Sequence, residues 1–270
     1  MTAAPQAQRT GRPTKPPRSL AVPIGMVAFL VITWLALSEE FGIGLDIGDL
    51  IEDAGRGVDI WAEFLEPNWA FVPQTFGPML ETFQMAVIAA FVGCAVALPI
   101  SFLASRVTSP NLATYLADRG ILSIVRAIPD ILYALIFVAA VGIGPLAGML
   151  ALFFFNIGVV AKLLSETVDG VDTGPIEATR AAGGNRIQTT RWAVMPQILP
   201  NYVAYSLYTF ELNIRASTVI GIVGAGGIGQ LLNAQRAFFR YDNLAVIIFE
   251  LFVFVFVIEL FSIWVRRRLV

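Results

Sequence analysis

Of 270 residues, 57% are hydrophobic and 14% charged, with a net charge of −2; soluble domains carry about a quarter charged residues. The absence of histidine excludes Ser-His-Asp, Cys-His and His-ligated metal chemistry, so no catalytic residue and no metal site is expected. The single cysteine, Cys94, sits in an apolar run, can form no internal disulfide and reads as a small buried hydrophobe.

In chain order, residues 1–19 are rich in Pro, Thr, Gln and Arg and too poor in apolar side chains to fold alone. They are expected to form a disordered cytoplasmic tail held near anionic membrane lipid; no nucleic-acid partner is expected. Leu20–Ser38 is uncharged and longer than the apolar part of a signal peptide, so residues 20–38 read as an uncleaved first transmembrane helix. Residues 39–76 form an outer segment with nine acids against Arg56. Within it Ile47, Leu50, Ile51, Ala54, Val58, Trp61 and Leu65 recur at helical spacing, which predicts an amphipathic interfacial helix. Its acids are either a solvated face or a docking surface for an external partner.

Residues 77–265 hold the remaining apolar runs: Gly77–Ser105, Ile121–Lys162, Pro196–Val223 and Leu244–Val265. The second is long enough for two helices, with a break at Gly142-Ile143-Gly144-Pro145. The fold class is therefore all-α, an integral membrane protein of about six transmembrane helices. Thirteen basic residues fall on the side of the two termini, the second connection and the fourth, against three (Arg56, Arg236, Arg240) on the other. Both termini, including the basic end 266–270, are thus expected in the cytoplasm.

The fourth connection, loop 163–195, has mixed polarity and is long for a loop without a task. Pro175 suits a first helical position, Glu177 complements a helix N-terminus, and Gly183-Gly184 ends the helix. A second short helix is predicted from Asn185, with Gln188 in capping-box spacing. Helices of two turns are unstable alone in water, so both must pack on their own membrane domain or on another protein.

Glu177, Ala178, Gly183 and Pro196 stand at the spacings of the "EAA" loop, and the stretch resembles the coupling loop of bacterial ABC importer permeases. Thr179, Ala193 and Met195 depart conservatively from that pattern. Arg126-Ala127-Ile128-Pro129-Asp130, the run Ile136–Gly148, and Phe210–Arg215 through Gly221–Gly229 extend the similarity to the phosphonate-uptake subfamily. The resemblance covers about residues 77–265. It implies a type I permease fold in the bacterial cytoplasmic (inner) membrane, assembled as a homodimer. It also implies two ATPase subunits and an extracytoplasmic phosphonate- or phosphate-binding protein as partners. The solute would be phosphonate, phosphite or phosphate, and the ATPase-coupling residues Glu177, Ala178, Thr179, Arg180, Gly183, Gly184 and Asn185. No Walker A motif is present, so this chain is expected to be no enzyme and to need no cofactor, with ATP bound by the partner. The alternative is a stand-alone secondary transporter or channel for a small solute, which needs no coupling loop.

Gly224-Ala225-Gly226-Gly227-Ile228-Gly229 also fits the dinucleotide fingerprint, but no strands are available to build a βαβ unit around it. Gly224, Gly226, Gly227 and Gly229 read instead as a tight turn bordering an outer gate. Charges within or at the edges of spans include Glu81, Arg126, Asp130, Glu211, Arg215, Glu250 and Glu259. Arg126 with Asp130, and Glu211 with Arg215, are four apart and can meet on one helix face. They either neutralise one another or line a translocation path, where Ser217 and Thr218 would add hydroxyl donors.

Overall fold

The computed structural model describes residues 20–38, 48, 52 and 54–269, and every regular element among them is helical. The expected disordered tail, residues 1–19, and the first part of the expected amphipathic helix lie outside the described residues. Residues 1–58 and 59–270 form two separate units. In the first, α1 (Ala21–Leu37) is apolar on every face, and Val22, Phe29 and Trp34 are largely exposed. That pattern suits a helix whose solvent is hydrocarbon. Its 17 residues span roughly 25 Å, near the lower limit for crossing a bilayer. Helix α2 (Ala54–Leu65) leaves Val58, Trp61 and Leu65 exposed.

The second unit is organised around α3 (Val72–Leu103) and α6 (Pro145–Asp169), which pack chiefly on each other. The buried face of α3 is a stripe of small side chains, among them Ala86, Ala89, Gly93 and Ala97. Lipid tails are as apolar as leucine, so close packing rather than burial holds such helices together. A Cβ on Gly93 would stand 2.8 Å from that of Asn156 on α6. The backbones approach because glycine is there.

The run Ile121–Lys162 is divided twice rather than once. Helix α4 (Leu112–Ala127), capped by Asn111 accepting from Thr114 N (2.8 Å), ends before Pro129. Helix α5 (Asp130–Val141) leaves at 85° to it. Proline has no N–H to continue the ladder and pushes Ile128 into an extended conformation (φ −85°, ψ 119°). At 12 residues, α5 is roughly 18 Å long and too short to cross alone.

The coupling-loop segment contributes α7 (Gly174–Ala181) and α8 (Arg186–Thr189). Residues Thr190–Val194 then wind as a π-helix straight into α9 (Met195–Gly221). The second short helix predicted from Asn185 is therefore the opening turn of a long helical rod, not a free two-turn piece. Short α10 (Gly227–Ala237) and long α11 (Tyr241–Leu269) complete the fold. Among the described residues, Trp69–Leu103, Pro145–Asp169 and Tyr241–Arg268 are long and apolar enough to cross a membrane, and the bent α4–α5 pair is a possible fourth. The six expected runs correspond to α1, α3, α4–α5, α6, α9 and α11. Of these α9 is long enough but carries Gln197, Asn201, Glu211, Asn213 and Arg215.

Candidate coupling loop, gate turn and intramembrane charges

Helix α7 has Pro175 in its first turn and Glu177 beside its N-terminus. It is held to the membrane helices by Ile176, which is buried with Leu164, Val168, Ala193, Val194 and Ile198. The packing demanded by so short a helix is thus met within this chain. Gly183 ends the segment at φ +84°, with Gly183 N donating to Arg180 O (3.0 Å) and Gly184 N to Thr179 O (3.0 Å). Thr179 Oγ1 donates to Pro175 O (2.8 Å). A Cβ on Gly184 would meet Thr179 O at 2.8 Å, whereas one on Gly183 would meet nothing within 4 Å. Asn185 and Gln188 close the capping box in both directions: Gln188 N donates to Asn185 Oδ1 (2.9 Å) and Asn185 N to Gln188 Oε1 (2.8 Å). Glu177 and Ala178 are exposed. So are Ile187 (78%) and Trp192 (68%), which sequence reasoning passed over. The available signal was two large apolar side chains among polar neighbours, in the stretch Asn185–Arg191 and beside it.

At the other end of α9 the glycine turn is packed backbone to backbone. Gly224, Gly226 and Gly227 all have positive φ (91°, 83° and 70°). Gly144 N donates to Gly224 O (2.9 Å), joining the turn to the start of α6. A Cβ on Gly229 would overlap Thr218 O, and one on Gly226 would stand 2.8 Å from the Pro145 backbone. The N-terminus of α10 is satisfied by α3: Gly227 N donates to Glu81 Oε1 (2.7 Å) and Ile228 N to Thr82 Oγ1 (2.8 Å). Glu81 thus has a partner that sequence reasoning missed, because α10 lay in what reads as a loop. A carboxylate on a helix N-terminus answers both its free N–H groups and its dipole.

The two arginine–acid pairs separate in the structure. Glu211, 8% exposed, accepts from Arg215 Nη2 (2.6 Å) and lies 3.5 Å from Arg266 Nη2; Arg215 also reaches Glu259 at 3.9 Å. This network joins α9 to the basic end of α11. Arg126 and Asp130 do not pair, contrary to the spacing argument, because the helix breaks between them at Pro129. Asp130 Oδ1 instead accepts from Ile131 N (2.9 Å) at the start of α5. Arg126 is exposed, and among the described residues no carboxylate is in ion-pair range of it. Its Cγ would lie 3.0 Å from a Cβ on Gly158, which is midway along α6. Ser217 and Thr218 are not free donors, since Ser217 Oγ (2.7 Å) and Thr218 Oγ1 (3.4 Å) both donate to Ile214 O.

Known proteins match along most of this architecture. The phosphate-import permease PhnE of Mycolicibacterium smegmatis is 41% identical over 214 residues, 79% of this chain but 40% of that protein. This chain therefore spans about two-fifths of that relative's length. A putative phosphite transport system permease of Stutzerimonas stutzeri, HtxE, is 38% identical over 208 residues, 77% of this chain and 80% of the relative. Among solved structures, the inward-facing MetNI methionine ABC transporter shares the fold at a TM-score of 0.67 and 22% identity, covering 75% of this chain and 99% of that chain. Residues 97–270 match the family described as the binding-protein-dependent transport system inner membrane component. This chain belongs to that family of multi-pass ABC importer permeases, transport subunits rather than enzymes.

Proposed function

We propose that this chain is the solute-conducting half of an ATP-driven importer for phosphate-like oxyanions: phosphonate, phosphite or phosphate. In this reading it works as a homodimer, with two ATPase subunits in the cytoplasm and a solute-binding protein outside. Both termini and loop 163–195 face the cytoplasm. Glu177, Ala178, Thr179, Arg180, Gly183, Gly184 and Asn185, with Ile187 and Trp192 beside them, form the ATPase-docking face. Gly224, Gly226, Gly227 and Gly229 border the outer gate. The mechanism is alternating access driven by ATPase closure. Phosphate and phosphite follow the names of the two relatives above, and phosphonate shares their oxyanion chemistry.

The observation that carries the path is Arg126. An exposed guanidinium without a carboxylate, in the last turn of α4 and beside the midpoint of α6, is costly in a membrane unless it meets an anion. Its planar fork suits phosphoryl oxygens and would offset part of their lost hydration. Glu211 and Arg215, by contrast, are taken up by a network that includes Arg266, and we assign them a structural role. The test is phosphate and phosphonate uptake into vesicles holding the full complex. Arg126→Gln should lower uptake about tenfold or more while basal ATP hydrolysis persists, and Arg126→Lys should retain part of it. The Glu211→Gln, Arg215→Gln double variant should keep uptake. Normal uptake by Arg126→Gln would sink the path assignment. Orientation is checked separately: a cysteine placed at Gln188 should resist an impermeant external thiol reagent.

A further inference from the structure

Between the segment that follows α3 and the loop that precedes α9 lies a cavity of about 180 Å³. Liquid water occupies roughly 30 Å³ per molecule, so the space holds a small polyatomic ion with waters. Buried Ile176 and Val194 form its floor, which places it on the inner side of the loop, where α7 packs on its own membrane helices. Its lining includes Arg106, Arg180 and Arg186, all three exposed, and no acidic residue; outside the lining, Asp169 Oδ1 accepts from Arg106 N (2.7 Å). Arg180 and Arg186 have no ion pair or side-chain hydrogen bond among the described residues.

Arg106 is fixed in place. Its Nε donates to the Tyr115 hydroxyl (2.9 Å) and its guanidinium lies 5.5 Å over that ring, leaving both terminal nitrogens available. The bond to Tyr115 pushes the guanidinium's pKa further up, so it stays charged. Three wall hydroxyls are spent on backbone carbonyls: Thr108 donates to Phe102 O (2.6 Å), Ser109 to Asn111 O (3.1 Å) and Thr189 to Asn185 O (3.0 Å). Thr190 keeps its proton uncommitted among the described residues. Three exposed positive charges around one concavity repel one another, with only the Asp169 carboxylate acting on Arg106 to offset them, and together they favour an anion there.

We propose that this cavity is an oxyanion site, filled by a tetrahedral phosphoryl group held by Arg106, Arg180 and Arg186. Its chemistry is shared by free inorganic phosphate and by the headgroup of an anionic phospholipid. Arg106 belongs to the segment after α3 and the other two arginines to the loop, so an occupant ties loop and membrane helices together. The site is separate from Arg126 and stands whether or not the transport reading does.

The experiment titrates inorganic phosphate into the full chain in neutral detergent by calorimetry, with ionic strength held constant by chloride. Saturable binding is expected, and Arg180→Gln with Arg186→Gln should weaken it about tenfold or more. Arg180→Lys with Arg186→Lys should bind in between and report that the fold survives. Arg126→Gln should leave this binding unchanged, which separates the site from the path. Repeating the titration in nanodiscs names the source. Binding lost in phosphatidylglycerol but kept in phosphatidylcholine assigns the site to a lipid headgroup, and equal binding in both assigns it to the free ion. No saturable binding in any setting would overturn the proposal, as would binding indifferent to the double Gln variant. It also falls if wild type binds no phosphate while the Gln variant loses a co-purifying ATPase, since the arginines would then serve a protein partner.

Discussion

At the glycine-turn end of α9 backbone meets backbone, whereas at the end carrying loop 163–195 side chains make the joint. A methyl group has no room at Gly226 or Gly229, where the neighbours are the Pro145 backbone and Thr218 O. At Gly183 the same methyl would meet nothing, and the contacts there are an aliphatic cluster, a capping box and charged side chains. Backbone contacts of that closeness have no rotamers to yield with, so the glycine turn is stiff. Side-chain joints can repack, and the loop end is the one suited to engaging and releasing a partner.

The sharpest break of this contrast is Gly229→Ala. Its Cβ would overlap Thr218 O, and the cost should exceed about 3 kcal/mol, the upper part of the overpacking range. Loss of monodisperse protein, or a large drop in the midpoint of thermal unfolding, would register it. Gly183→Ala meets only its own backbone preference at φ +84°, about 1–2 kcal/mol, so protein should still insert and purify. A bulkier Gly183→Leu should likewise insert, yet lose ATPase co-purification if the face docks as proposed. Asn185→Ala opens the capping box and should cost about 1 kcal/mol. Glu177→Ala, at an exposed helix N-terminus, should cost only about 0.3–1 kcal/mol. A Gly183→Ala effect as large as that of Gly229→Ala would erase the distinction between the two ends.

What the sequence disclosed depended on range. The Asn185–Gln188 capping box and the helix end at Gly183 are local features, and both stand where the residues place them, whereas run length missed the break at Pro129. The Arg126–Asp130 pair failed although it too is local. Four-residue spacing means contact only on an unbroken helix, and Pro129 sits between the partners. The bonds from α10 to Glu81 and from Arg266 to Glu211 join residues far apart in the chain, which no periodicity reports. Glu81 could be flagged as an acid in an apolar run, but its partner was a backbone N–H in a helix that the glycine run concealed.

From Arg186 to Gly221 the chain runs as one helical rod, through the π-helical stretch Thr190–Val194, roughly 50 Å from end to end. It has no loop to absorb a push. A tilt of about 5° at the capping box would carry the far end some ~4 Å, several times the slack of a packed contact. The compliant joint and the stiff one are thus opposite tips of a single lever, and its only give lies in one widened turn and at Pro196 and Pro200. If the loop docks an ATPase as proposed, a small displacement there would reach the glycine turn with little loss along the way.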